Sequence, residues 1–138
     1  MRLVLAVVVV LTTNGSAWAK NRPLPRYGDF TYSNLCWGSD SGDASGTRFT
    51  LSRTRQGDRL TLEYGNGPLE NARIKSLRMT GDRLQAEAST ADGDLTLSAI
   101  LNRKHAVVSN AFGDQKNLAM RPSVLVRIKR FSQKIPTC

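Results

Sequence analysis

From Tyr27 onward, apolar and polar residues alternate with a period of two. Phe30 and Tyr32 share one parity. Phe49 and Leu51 alternate with Thr50 and Ser52, and Leu60, Leu62 and Tyr64 with Thr61 and Glu63. Leu84, Ala86 and Ala88 alternate with Gln85 and Glu87, and Leu95, Leu97 and Ala99 with Thr96 and Ser98. Successive strand side chains point to opposite faces, so this pattern predicts half-buried antiparallel strands. The run IKSLRM from Ile74 has a less clean parity. Near the C-terminus Val124, Val126 and Ile128 alternate with Leu125, Arg127 and Lys129. That alternation predicts an inward Val/Ile face and an outward basic face.

Turn chemistry agrees with the alternation. The dipeptide Gly-Asp occurs at 28, 42, 57, 81, 93 and 113, and those at 57, 81 and 93 each precede an alternating run. Gly65-Asn66-Gly67-Pro68 punctuates the long interval between the first two of these. Glycine accepts the positive φ of tight hairpin turns, and Asp bonds turn backbone. A strand and a turn every ten to twelve residues or so form an up-and-down meander. The segment KNLAM at 116–120 offers one helical turn before Pro122, and no segment sustains a 3.6-residue period. The expected fold is all-β: a small antiparallel up-and-down barrel of about eight strands, with a two-sheet β-sandwich as the alternative. Closure would remove the edges that invite aggregation.

The ends modify this picture. Arg2, the apolar run LVLAVVVVLT at 3–12 and Ala17-Trp18-Ala19 form the three regions of a secretory signal, so residues 1–19 are expected to be removed. The run is too short to span a bilayer. Residues 20–26, KNRPLPR, read as an extended leader, and residues 27–138 as a single β domain. The expected location is secreted or periplasmic. In an oxidising compartment the two cysteines, Cys36 and Cys138, most simply pair. Two free thiols or an intermolecular bond through Cys138 are the alternatives.

Charge is concentrated late in the chain. Residues 20–101 hold 11 Lys and Arg against 10 Asp and Glu, whereas residues 102–138 hold 8 against 1. Arg103 and Lys104, in a predicted turn, together with Arg127, Lys129 and Arg130 on the last strand, form a candidate anion site. The competing reading is a solvated basic surface. Arg130 has the inward parity of Ile128, which places it at the strand end. No DNA- or RNA-binding motif is present, which argues against nucleic acid.

The stretch CWGSDSGDASGTRF, residues 36–49, holds the other candidates: Trp37, Asp40, Asp43 and Ser45. GSDSG resembles a nucleophile elbow, but its centre is Asp40 and not serine. The mature chain has one histidine, His105, beside two cations and with no apparent carboxylate partner. These features predict no catalysis. One histidine and two paired cysteines supply no zinc set. Asp40 and Asp43 lack EF-hand spacing, so a self-bonded turn is expected in place of a calcium loop. No metal and no cofactor are therefore expected. Trp37 would either pack on the disulfide or, if exposed, anchor a partner.

Three resemblances follow from these residues. The pattern Cys-Trp…Ser-Gly-Asp-x-x-Gly-x-x-Phe-Thr-Leu followed by a meander resembles small exported bacterial β-barrel proteins of unassigned function. Tyr27-Gly28-Asp29-Phe30 is similar to the opening strand of lipocalin-like barrels, with Phe30 where those carry tryptophan, and implies a small apolar ligand carrier. Ser45-Gly46-Thr47-Arg48-Phe49 resembles the cleft-inserting loop of periplasmic lysozyme inhibitors, with Phe49 in the place of tyrosine. The leading expectation is a non-catalytic exported binding module for a protein or an anionic envelope component, using residues 38–47 and the basic C-terminal quarter. The carrier and the lysozyme inhibitor are the alternatives.

Overall fold

A computed structural model describes residues 23–112, 122–129 and 134–138. Residues 1–19, expected to be a signal, with residues 20–22, the KNLAM segment and Arg130, lie outside the described residues. Nine strands follow in chain order: β1 (Gly28–Ser33), β2 (Cys36–Trp37), β3 (Ala44–Thr54), β4 (Gly57–Gly67), β5 (Leu69–Thr80), β6 (Arg83–Thr90), β7 (Gly93–Leu101), β8 (His105–Phe112) and β9 (Ser123–Ile128). Each strand from β3 to β9 pairs antiparallel with the next, and β1 closes the ring by pairing with both β3 and β9. The result is a closed eight-stranded antiparallel barrel, with β2 as a short additional strand on β3. The β-sandwich alternative is thereby excluded. No helix among the described residues is long and apolar enough to cross a membrane.

The period of two explains the interior. Phe30, Tyr32, Phe49, Leu51, Leu60 and Leu62 from one side meet Leu84, Ala86, Leu95, Leu97, Val108 and Leu125 from the other in one buried cluster. Burying a large apolar side chain contributes about 1.5–3 kcal/mol, so this cluster is the main source of stability. Leu24 of the leader packs on the same cluster, and the Pro23 carbonyl accepts a bond from Arg103 Nε at 3.1 Å. The unclear parity of IKSLRM has a local cause. Ile74 pairs with Ala88 and Ser76 with Glu87, so Lys75 is an extra residue in a bulge. Before it Ala72 and Ile74 face the core; after it Leu77 and Met79 do. A bulge shifts the inward set by one residue, which leaves Lys75 outside to bond Asp94 at 2.5 Å.

Cys36 and Cys138 form the disulfide, with Cα atoms 5.0 Å apart and a sequence separation of 102. The C-terminus is also tied through backbone: Trp37 N–H donates to Pro136 O at 2.8 Å, and Cys138 N–H to Trp37 O at 2.7 Å. Disulfides of this kind form and persist in oxidising surroundings, with which the cross-link is consistent.

The last strand differs from its expected orientation. Leu125 is fully buried, whereas Val124 and Val126 are exposed. The β8–β9 register sets Leu125 opposite the small inward Ala106, where its bulk fills the barrel. The same parity sends Arg127 toward the barrel end. Its guanidinium sits 5.0 Å from the centre of the Phe30 ring and donates to Arg103 O at 3.3 Å. The Arg127 guanidinium thus caps this edge of the core by a cation–π contact with Phe30.

Candidate functional site

The basic site is built on the turn between β7 and β8. Asn102 organises it. Its Oδ1 accepts the backbone N–H groups of Lys104 at 2.8 Å and His105 at 2.9 Å, and its own N–H donates to His105 O at 3.0 Å. With Oδ1 committed, Nδ2 is the atom that meets His105 Nε2 at 2.9 Å. Nδ2 can only donate, so Nε2 is the acceptor of this bond. His105 is half-buried and braces the turn.

The turn is anchored from inside and from the side. Tyr32, fully buried, donates its hydroxyl to Asn102 O at 2.5 Å. Burial pushes its phenol up to about 12, with the nearby Arg127 charge pulling the other way. Arg127 N–H donates to Lys104 O at 2.8 Å. The carbonyls of residues 102–104 therefore face protein donors, and the exposed side chains of Arg103 and Lys104 project from a braced backbone.

Arg103, Lys104, Arg127, Ile128 and Lys129 line one shallow depression of about 440 Å³. No carboxylate lines it. The ion pairs of the described residues lie elsewhere: Arg48–Glu63, Arg53–Asp58 and Lys75–Asp94. Several like charges held close together without local neutralisation produce a positive potential that attracts anions.

The other sequence candidates fall at the opposite end of the barrel. β3 runs from Ala44, at the β2 hairpin, to Thr54, and β1 pairs Gly28 with Arg53 at the far end. Asp40 and Asp43 are exposed in the connection from β2 to β3, and Ser45 is exposed at the start of β3, opposite Cys36. Trp37 is half-buried in β2, and its backbone bonds the C-terminal segment. The connection closes through Gly38 N–H to Asp43 O at 2.8 Å and Asp43 N–H to Ser41 Oγ at 3.1 Å. The turn bond is thus supplied by Ser41. Glu70, Asp92 and Asp94 lie at this same end, where Glu70 accepts Ala91 N–H at 3.0 Å. Burial raises the Tyr64 phenol pKa, and the carboxylates Asp92 and Glu70 add to the effect. Arg103 and Lys104 thus sit at the end opposite Asp40, Asp43 and Ser45, and the two groups of candidate residues do not form one site.

The Ser45–Phe49 segment lies within β3. Thr47, Arg48 and Phe49 are buried. Gly46 has φ +104°, and a Cβ there would lie 2.7 Å from Asn34 O, which excludes any larger residue at this crossing. Arg48 Nε donates to Glu63 across the β3–β4 ladder on the outer wall. Residues 34–36 and 134–136 line a depression over Arg48 of about 190 Å³. Among the described residues no group of three or more His, Cys, Asp or Glu is placed to hold a metal.

No protein-family model, curated protein or solved structure matches the chain. Its functional reading therefore rests on the residues themselves. Pattern reasoning selected Arg103, Lys104, Arg127 and Lys129, which the fold brings together. It passed over Asn102 and Tyr32, which hold them in place. An Asn three residues before the only histidine, between two strands, is the signal that could have revealed the turn.

Proposed function

We propose that this chain is an exported, non-catalytic binding module that takes an anionic partner at the depression formed by Arg103, Lys104, Arg127 and Lys129. One observation carries the reading: four cations from two chain segments line a single depression without a carboxylate. The turn that presents them is fixed by the bonds of Asn102 and by Tyr32. Pre-fixing lowers the ordering cost of binding. The signal-like N-terminus and the disulfide support an exported location, secreted or periplasmic. The interior is occupied by one continuous apolar cluster, which favours a site on the outside over an internal ligand cup.

Binding of inorganic polyphosphate, measured by calorimetry, tests the reading. Wild-type protein should bind it at low salt, and K104Q/K129Q should bind at least tenfold more weakly. Raising the salt should weaken binding of wild type more than of the variant. Equal binding by both proteins would refute the site.

A further inference from the structure

The outer wall next to this depression carries an apolar row. Ile100 lies directly opposite Val107, and Val107 directly opposite Val124, so the three form a row across β7, β8 and β9. Val126, one step nearer the depression, faces His105. Ile100 is 50%, Val124 57% and Val126 60% exposed. Directly opposite residues have Cβ atoms about 4.5–5.5 Å apart, so these side chains form one surface. A groove of about 320 Å³ runs beside the row; Ile100, Val107, Leu84, Ala99 and Pro122 form its apolar lining, and Arg83, Gln85, Ser98 and Ser109 its polar lining. Cations border the row: Arg83 is opposite Ile100, and Lys104 directly precedes His105, the partner of Val126.

Outward positions of an antiparallel sheet facing water are ordinarily polar. A continuous aliphatic row there marks a surface that another apolar phase covers. Resting on the reading of the depression as an anion site, we infer that this face docks on an anionic lipid surface. The row Ile100, Val107, Val124 and Val126 enters the acyl boundary, and Arg103, Lys104 and Lys129 meet the phosphate headgroups. Two features favour lipid over an acidic protein. The row holds only aliphatic side chains, with no aromatic anchor of the kind that dominates protein interfaces. Its cations stand beside the apolar row and not across it, which is the arrangement of interfacial membrane binding. Each cation close to an anionic leaflet strengthens binding about fivefold.

The test uses the disulfide-bonded protein and sedimentation with vesicles of phosphatidylcholine, with or without phosphatidylglycerol. Two variants are compared, V124T/V126T and K104Q/K129Q. Threonine keeps the β-branched shape that suits a strand, and thermal unfolding checks that each variant is folded. Wild type should bind the phosphatidylglycerol vesicles and leave the neutral ones. V124T/V126T should lose roughly tenfold in vesicle binding while binding inorganic polyphosphate as wild type does. K104Q/K129Q should lose both. Undiminished vesicle binding by V124T/V126T would overturn the inference. So would binding of polyphosphate or polyglutamate without vesicle binding, an outcome that leaves the anion site standing. Failure to bind any anionic probe would remove both proposals.

Discussion

Removing the disulfide should destabilise the whole barrel and not only its tail. The perturbation is C36A/C138A. The cross-link joins residues 102 apart and so encloses β3 to β9. A closed loop of that length removes about 4.7 kcal/mol of chain entropy from the unfolded state. The native tail keeps its two backbone bonds to Trp37 without the cross-link, so the folded state changes little. Some fraying of residues 134–138 would reduce the loss, which places the expected ΔΔG at about 3–4.7 kcal/mol. A domain of this size has about 5–15 kcal/mol in total, so the variant should remain folded near neutral pH but melt much earlier. Urea unfolding of both proteins measures the change, and hydrogen exchange locates it. The entropic account predicts a large fall in the urea midpoint and faster exchange of core amides such as those of Leu97 and Leu125. An unchanged midpoint, with faster exchange confined to residues 36–38 and 134–138, would refute it.

Three further perturbations test other parts of the structure. Y32F removes the hydroxyl bond to Asn102 O and should cost about 1–2 kcal/mol at neutral pH. Because burial pushes the Tyr32 phenol up from 10.0 to about 12, the wild-type advantage should hold below pH 10 and shrink as the pH rises through 12, as followed by denaturant unfolding of both proteins. E63Q removes the carboxylate charge from the buried ion pair with Arg48, so it should cost about 3–5 kcal/mol in urea unfolding. L125A should cost about 2–5 kcal/mol while V126A costs little; the reverse order would show that the observed β9 orientation is wrong.

Much of the barrel was legible because its strands alternate strictly. Leu84 to Ala88 and Leu95 to Ala99 present one unbroken inward parity, and the structure keeps it. The disulfide followed from two cysteines and a compartment. Two strands resisted for different reasons. In β5 a bulge at Lys75 changes the inward set midway, and no local composition marks it. In β9 Val124, Leu125 and Val126 are all apolar, so both parities satisfy the pattern. Only the partner decides: Ala106 leaves room for Leu125, and Arg127 then reaches Phe30. The basic site was half visible. Its cations stand out in the sequence, whereas its geometry depends on Tyr32 and Asn102, which lie 70 residues apart. The separation of Asp40, Asp43 and Ser45 from that site is a matter of strand direction, which a list of residues does not carry. The outward Ile100 was legible in principle, since it interrupts the inward series Ala99 and Leu101.

The central claim is that the cations at one end of the barrel bind an anion. The most direct measurement is a titration of the isotopically labelled, disulfide-bonded protein with inorganic polyphosphate, followed by backbone amide chemical shifts. The structure predicts saturable shifts at residues 102–105 and 127–129, weakened by salt, with Asp40 to Ser45 unmoved. Shifts centred on Asp40 to Ser45, or none at the β7–β8 turn, would contradict it.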